Sequence, residues 1–300
     1  MNTVVPADLD GERLDLIVAR LGGVSRALAR ALVEQGSVAV DGETVAAVNR
    51  RMVAGSAIAF ELPDAIDSLV PEEVPFEVLH EDRFLAVVSK PAGVVTHPGA
   101  GRTGATLVAG ILHRWPSVRG VGDEGRWGIV HRLDRDTSGV LVVALTVEAF
   151  GPLRTMIRQR RVERRYLALV KGTPPMPTGT IDAPIAADRH RRGRRRVDPT
   201  GRSARTHYRS VVSGGGVTLL DVTLETGRTH QIRVHLTTAG LPIIGDRQYG
   251  IGSGAPRQFL HAARVRFEHP ITQERLDIVA PLPGDLRQVL ADYGLEYRPG

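Results

Sequence analysis

The 300-residue sequence predicts an α+β fold, in which a small α/β module precedes a larger domain with a mixed, mainly antiparallel sheet. Two observations support this prediction. Beyond residue 80, long strand-like stretches are interrupted by only a few helical segments, which is typical of α+β domains rather than of repeated βαβ units. The first 62 residues instead combine two short helical patterns with a few short strands. The sequence shows no internal repeat.

The N-terminal module begins with apolar residues at helical spacing, which predict a helix from Leu14 to Leu21. Ser25 is suited to cap a second helix, which Gly36 ends. Strands are expected at 38–40, 43–48 and 57–62. The proline-rich, acidic segment 63–75 is the expected linker. We therefore predict residues 1–68 as module and linker, and residues 69–300 as the larger domain.

The larger domain contains two apolar runs, 84–89 and 140–145, that predict buried strands. Thr146 is suited to cap a helix that ends near residue 160. Another helix is predicted from Thr229 to Ala239, because Gly240 and Pro242 follow it. Further strands are expected at 166–170, 204–212, 217–224 and 258–268, and a last helix at 286–293.

The composition excludes several classes of protein. The sequence has no cysteine, so a disulfide framework, a thiolate nucleophile and a cysteine-based zinc site are all excluded. No apolar stretch approaches the ~18 residues that a membrane span needs, and the first residues lack the apolar core of a secretory signal. We therefore expect a cytoplasmic protein without a membrane partner.

The charge is unevenly distributed. Only Lys90 and Lys171 are lysines, so 37 of the 39 basic residues are arginines. Residues 1–70 carry a net charge of −4 and residues 71–300 a net charge of +10. A GC-rich genome would explain many arginines, but codon bias alone would not separate the charges. The planar guanidinium is well suited to phosphate, so we favour a polyanionic partner for the larger domain.

The densest group of reactive side chains is His131-Arg132-Leu133-Asp134-Arg135-Asp136, directly before the apolar run at 140–145. A loop between buried strands can hold Asp134 rigidly towards a cleft. Its arginine neighbours favour the ionised carboxylate that a nucleophile or a base requires. A solvated, salt-bridged turn would have the same composition.

A second group spans Thr226 to His235. Gly227 permits a tight turn, and a helix that starts at Thr229 would offer free amides to a phosphate. His230, Arg233 and Thr237 would share one face of that helix. A metal site is not predicted, because the spacing of His230 and His235 makes their rings diverge on a helix.

Three weaker features complete the search. The segment 90–99 is a proline- and glycine-rich loop that is either a cleft wall or only a turn. Tyr166 starts a strand, where a half-buried packing role is common. The run 189–196 holds six arginines and is either a solvated loop or a phosphate contact. The glycine-rich segments match neither a P-loop nor a dinucleotide fingerprint, so no cofactor is implied.

Several ordered motifs together resemble the RluA class of RNA pseudouridine synthases, in particular its RluD-like members that act on large-subunit ribosomal RNA. The resemblance covers about residues 74–298. Its motifs are SKPAGVVTHPG at 89–99, HRLDRDTSG at 131–139, RRYLALVKG at 164–172, TGRTHQIRVHL at 226–236, IIGDRQYG at 243–250 and FLHA at 259–262. Residues 12–62 resemble the ribosomal-protein S4 type of RNA-binding domain. The resemblance implies a pseudouridine synthase fold with a central cleft.

The resemblance also implies roles for individual residues. Asp134 matches the catalytic aspartate of the class, Tyr166 the tyrosine that lies against the target base, and Arg233 the basic partner of the aspartate. Arg132 matches the arginine that occupies the space left by a flipped nucleotide. The residues expected to contact RNA are Arg132, His131, Arg135, Arg228 and His230 in the larger domain, and Arg26 and Arg30 in the acidic module.

Pseudouridylation breaks the bond from the base to the ribose, rotates the uracil and rejoins it through carbon 5. This isomerisation needs no redox or phosphoryl step, hence no cofactor, but the nucleotide must leave its stack. Asp134 would either attack the anomeric carbon or assist base departure. Tyr166 would either stack on uracil or move a proton at the sugar.

Other readings stay open from the sequence. The first is a non-catalytic RNA-binding or ribosome-assembly factor of the same fold, and the second is a hydrolase that uses His131 and Asp134. Among substrates, large-subunit ribosomal RNA comes first and transfer RNA second. A monomer is the default.

Overall fold

The computed structural model describes residues 1–22, 24, 26–62, 69–97, 106–123, 125–191 and 193–297, without the side chains of residues 26 and 27. The backbone contacts divide the chain into two units, with the division after Val70. The predicted division after residue 68 stays a prediction. None of the helices in these ranges is long and apolar enough to cross a membrane.

The first unit is a four-stranded antiparallel sheet with two helices. Its strands lie in the order β1-β4-β2-β3. The two predicted helices are confirmed, although the predicted cap Ser25 lies outside the described residues. Leu14, Ile17 and Val18 of the first helix are buried against Ile58 and Phe60 of the last strand. The elements are β1 (Asn2–Val4), α1 (Leu14–Leu21), α2 (Arg26–Glu34), β2 (Val38–Val40), β3 (Glu43–Thr44) and β4 (Ala57–Phe60).

The second unit is built on a nine-stranded mixed sheet, which confirms the predicted α+β class. The strand order is β5-β6-β7-β14-β8-β13-β12-β9, and β15 pairs with β14. Among the described strand pairs of this sheet, β7 and β14 are parallel and the others are antiparallel. The elements are β5 (Glu77–Glu81), β6 (Leu85–Lys90), α3 (Leu107–Arg114), β7 (Ser138–Ala144), α4 (Val147–Arg158), β8 (Glu163–Lys171), β9 (Thr178–Asp182), β10 (Ile185–Ala187), β11 (Arg195–Val197), β12 (Arg205–Gly214), β13 (Val217–Leu224), α5 (Gln231–Thr238), β14 (Leu260–Glu268), β15 (Arg275–Val279) and α6 (Gly284–Asp292).

The helices of the second unit test two sequence signals. The cap at Thr146 is confirmed, because its hydroxyl accepts a hydrogen bond from the amide of Ala149 at the start of α4. The predicted helix start at Thr229 is wrong. His230 has a left-handed backbone (φ 58°), so α5 begins only at Gln231. The sequence analysis also missed α3 and the strands β5, β9, β10, β11 and β15.

The close contact between the parallel strands β7 and β14 determines where the candidate site lies. Gly139 of β7 has a φ of 116°, and a Cβ atom there would lie 2.1 Å from the carbonyl oxygen of Ala262. Only glycine allows this approach. On its other side, Ala262 pairs with Tyr166 of β8. The loop before β7 and the middle of β8 therefore meet across a single strand.

Candidate active site

The loop before β7 carries Asp134 and is fixed on both sides. The hydroxyl of Thr96, which is 1% exposed, donates to the carbonyl of Leu133 (2.8 Å) and accepts from its amide (3.3 Å). The buried Lys90 Nζ donates to the carbonyls of Pro91, Val94 and Arg135 at 2.7, 2.8 and 3.0 Å. The residues that flank Asp134 are therefore held by the segment 90–96.

This support revises the reading of the segment 90–99 as a cleft wall or a simple turn. Burial lowers the pKa of Lys90 to about 7, although the charges of Asp136 and Asp134 act in the opposite direction. The described part of the segment thus acts beneath the loop that carries Asp134. Residues 98 and 99 lie outside the described residues.

Arg233 joins α5 to Asp134. Its side chain is 8% exposed, and its Nη1 donates to Asp134 Oδ2 at 3.1 Å. Its Nε and Nη2 donate to the two carboxylate oxygens of Asp246 at 2.7 and 2.9 Å. Burial acts to lower the pKa of Arg233, but Asp246 and then Asp134 outweigh it and the pKa is raised. Arg233 is therefore a fixed cation that orients one oxygen of Asp134.

Asp246 in turn is held by backbone amides. It is 1% exposed, and its Oδ1 accepts from the amides of Gln248 (2.9 Å) and Tyr249 (3.0 Å). Burial acts to raise the pKa of Asp246, yet Arg233 and these amides hold it below its usual range. Asp246 thus positions Arg233 from behind.

Tyr249 connects the N-terminal end of α5 to the hairpin β10–β11. Its hydroxyl accepts from the amide of Arg195 (2.7 Å) and forms a hydrogen bond with His230 Nδ1 (2.8 Å). Burial, more than any charge, lowers the pKa of His230. The neutral form of the His230 ring is therefore favoured over the cation.

Asp134, His230 and Arg233 line a cleft of about 540 Å³ in the second unit. Tyr166 lies in its wall and is buried, and this burial raises the pKa of its hydroxyl. The described residues that line the cleft include two acids, Asp134 and Glu225. Its arginines far outnumber these acids: they are Arg132, Arg154, Arg158, Arg160, Arg164, Arg202, Arg228 and Arg233. The cleft is therefore suited to a polyanion.

The structure brings most of the predicted site residues to this cleft: Asp134, Tyr166, Arg233, Arg132, His131, Arg228 and His230. The Arg135 side chain does not line it and instead forms an ion pair with Asp136 at 3.0 Å. Arg30 belongs to the first unit, where it pairs with Glu34 at 2.8 Å. The side chain of Arg26 lies outside the described residues. The RNA contacts of all these residues remain predictions.

His131 forms a hydrogen bond with the backbone of β7, the strand beside the cleft. Its Nε2 accepts the amide of Val142 at 2.9 Å, and its Nδ1 is buried with no partner among the described residues. Burial, assisted by the charge of Arg164, lowers the pKa of His131 to about 3. The structure gives no hydrogen bond between His131 and Asp134 within the described residues, so it does not support the hydrolase reading. As a neutral ring, His131 is also no cationic ligand for phosphate.

The pKa of His131 predicts an acid-sensitive fold. The unfolded state binds a proton near pH 6.5 and the folded state only near pH 3, so stability is lost as the pH falls from 6.5 to 3. Denaturant titrations at pH 7 and pH 5 measure this loss. The amide oxygen of Gln can accept the same N–H. We therefore expect His131→Gln to reduce the pH dependence of the unfolding free energy, and thus its slope against pH, by about one proton per molecule. An unchanged slope would assign the loss to other groups.

The sequence analysis missed two charged residues of the site, Asp246 and Arg164. Both lie inside quoted motifs, IIGDRQYG and RRYLALVKG. Gly245-Asp246 has the composition of a surface turn, and nothing in it signals a buried carboxylate. A strand start at Glu163, instead of the predicted 166, would have placed Arg164 and Tyr166 on one face.

An ion-paired carboxylate in an arginine-lined cleft is the arrangement expected of an enzyme that acts on a polyanion. Comparison with known families gives the specific assignment. The model of RNA pseudouridylate synthases matches residues 85–238, and the S4 domain model matches residues 12–55. The chain belongs to the RNA pseudouridylate synthase family, whose members are isomerases that act on RNA.

Individual relatives agree with this assignment. The chain is 47% identical over 292 residues to an "Uncharacterized RNA pseudouridine synthase" of Chloroflexus aurantiacus, covering 96% of this chain and 92% of that one. It is 41% identical over 310 residues to "Ribosomal large subunit pseudouridine synthase D" of Xylella fastidiosa, covering 96% and 91%. Human RNA Pseudouridylate Synthase Domain Containing 4 shares the fold, with a TM-score of 0.61 at 24% identity over 74% of this chain and 95% of that one. These findings favour the isomerase over the non-catalytic assembly factor.

Proposed function

We propose that this enzyme converts uridine to pseudouridine in large-subunit ribosomal RNA in the cytoplasm, with Asp134 as the catalytic nucleophile. The relative named for the ribosomal large subunit supports the choice of RNA. Transfer RNA is the second candidate substrate. The arrangement that carries the proposal is the 3.1 Å pair between Arg233 and Asp134 in an arginine-lined cleft.

The geometry suits a nucleophile. Arg233 binds Oδ2 of Asp134, while Oδ1 has no hydrogen-bond partner among the described residues. The Asp134 side chain is 18% exposed, so a flipped nucleotide can reach it. Two routes fit this placement: Oδ1 attacks the anomeric carbon, or the carboxylate assists base departure and stabilises the sugar intermediate.

Arg132 and Tyr166 would act on the flipped nucleotide. Arg132 is exposed at the cleft, where its guanidinium can fill the space that the nucleotide leaves in the RNA. Tyr166 presents a protonated hydroxyl, because its pKa is raised. This hydroxyl can donate a proton at the sugar, and its ring can lie against uracil.

The proposed reaction is tested by release of tritium from carbon-5-labelled uridine in unmodified large-subunit ribosomal RNA. We expect release by the wild-type enzyme, and carbodiimide mapping then locates the modified uridine. Release from transfer RNA alone would replace the proposed substrate. Absence of release from both RNAs would contradict the proposal.

A variant of Tyr166 separates its two roles. If the hydroxyl moves a proton, Tyr166→Phe is expected to reduce kcat by about 10²-fold or more while RNA affinity is unchanged. If the ring only stacks, Phe preserves kcat and Tyr166→Ala loses affinity. Single-turnover rates and RNA binding of both variants make the distinction, and we expect the first result because Tyr166 lines the same cleft as Asp134.

The S4 domain is proposed to contribute RNA affinity and not chemistry. We expect the double variant Arg26→Gln/Arg30→Gln to raise KM on ribosomal RNA about tenfold with kcat unchanged, because each substitution would remove one phosphate contact. Arg20→Gln on α1, where Arg20 pairs with Asp8, is the matched control. Equal KM values for the double variant and the control would argue against this surface.

A further inference from the structure

Arg164 is a buried arginine that forms no ion pair with the described residues. It is 7% exposed, and its Nε is buried with no hydrogen bond among the described residues. Its sequence neighbour Arg165 differs, because it lies on the opposite face of β8 and forms an ion pair with Asp221. Arg164 shares its face with Tyr166, and both line the cleft.

Within the described residues, the acids of the cleft bond other cations than Arg164. Among the described lining residues the acids are Asp134 and Glu225. Asp134 is paired with Arg233, and Glu225 accepts from Arg160 (2.5 Å) and His207 (2.7 Å). A buried charge without a counter-ion is unfavourable. An anion that enters the cleft would supply the missing negative charge.

The space in front of the guanidinium is kept open by a glycine. A Cβ atom on Gly227 would lie 3.1 Å from Nη1 of Arg164. Gly227 does not have a left-handed φ, so the space beside Arg164, and not the backbone conformation, favours glycine here. α5 begins four residues later, and the positive end of its dipole adds to the attraction for an anion.

We propose that Arg164 binds a phosphate group of the target nucleotide inside the cleft. The planar fork of arginine suits phosphate, and the pair would neutralise the buried guanidinium. The inference rests on the proposed function, because it takes the flipped uridine as the occupant of the cleft. Asp134 and Arg233 then act at the sugar, while Arg164 holds the backbone beside it.

The first test uses Arg164→Met, which keeps the volume and removes the charge. Binding to transcribed, unmodified large-subunit ribosomal RNA is measured in the Asp134→Asn background, so that turnover does not interfere. We expect affinity to fall by about 10- to 100-fold and the salt slope to decrease by about 0.7. Because an unpaired buried charge is removed, Tm should stay the same or rise.

Two further variants are the controls. Arg165→Met removes the same charge from the other face of β8, and we expect it to leave RNA affinity within about twofold. Arg164→Lys keeps the charge but loses the fork, so an intermediate affinity is expected. Unchanged affinity and salt slope in Arg164→Met would overturn the proposal. So would a lowered Tm, since it would show a structural role.

The second test identifies the phosphate. After the target uridine is mapped, a neutral methylphosphonate replaces either neighbouring phosphate. One replacement should weaken binding of the Arg164-containing protein and have no effect on Arg164→Met. If both methylphosphonate replacements weaken binding of Arg164→Met as much as they weaken binding of the Arg164-containing protein, the proposal is overturned. Failure of the proposed function appears elsewhere, as absent tritium release by the wild-type enzyme, so the two failures are distinguishable.

Discussion

Replacing Asp134 by Asn is expected to reduce turnover by about 10⁴-fold or more without loss of fold or RNA affinity. The amide has the same shape and still accepts from Arg233 Nη1, but it is no longer an anionic nucleophile. Arg233 keeps its two bonds to Asp246, so the free energy of unfolding should change little. Single-turnover tritium release, RNA binding and denaturant unfolding measure the three quantities.

Asp136→Asn is the matched control for this result. Asp136 lies two residues away on the same loop and pairs with Arg135. Because that pair does not line the cleft, the control should turn over at a rate close to that of the wild type. A near-normal rate for Asp134→Asn would remove Asp134 from the chemistry. Equal losses in both variants would point to damage of the loop.

Replacing Asp246 by Asn is expected to reduce both stability and turnover. The change leaves the buried guanidinium of Arg233 with one carboxylate in place of two. Loss of one partner of a buried ion pair costs about 3 kcal/mol of unfolding free energy. Displacement of Arg233 would also misplace Asp134, and a shift of about 1 Å can cost about 10²-fold in rate.

The measurements are denaturant unfolding and single-turnover rates. Asp277→Asn is the comparison, because its pairs with Arg264 and Arg266 are at the surface and a change within about 1 kcal/mol is expected. A positioning role also predicts a larger effect on kcat than on KM for Asp246→Asn. Wild-type kcat in a folded Asp246→Asn protein would contradict that role.

Local patterns predicted a large part of the fold. The apolar run before Leu145 gave β7, the helical spacing of 14–21 gave α1, and Thr146 gave the cap of α4. These signals depend on neighbours within one or two turns of chain. The start of α5 was missed because His230 adopts a left-handed backbone, and Tyr249, which holds its ring, lies 19 residues away.

The residues of the candidate site were likewise predictable only in part from local sequence. Asp134, Arg132 and His131 were chosen from a dense local cluster, whereas the roles of Tyr166 and Arg233 came from the resemblance. The sequence did not show that Asp134 and Arg233, 99 residues apart, form an ion pair. It also treated His131 and Arg135 like their neighbours, although the first bonds the amide of Val142 and the second pairs with Asp136.

The sequence by itself determined the α+β class, the family, the acidic N-terminal module, the basic larger domain and the loop that carries the candidate nucleophile. Only the tertiary structure decided which charges are satisfied. Arg164 and Arg165 are adjacent in the sequence, yet Nε of the first is buried with no hydrogen bond among the described residues, and the second pairs with Asp221. The reason is strand register: alternate side chains point to opposite faces, and the chain that covers each face comes from a distant part of the sequence.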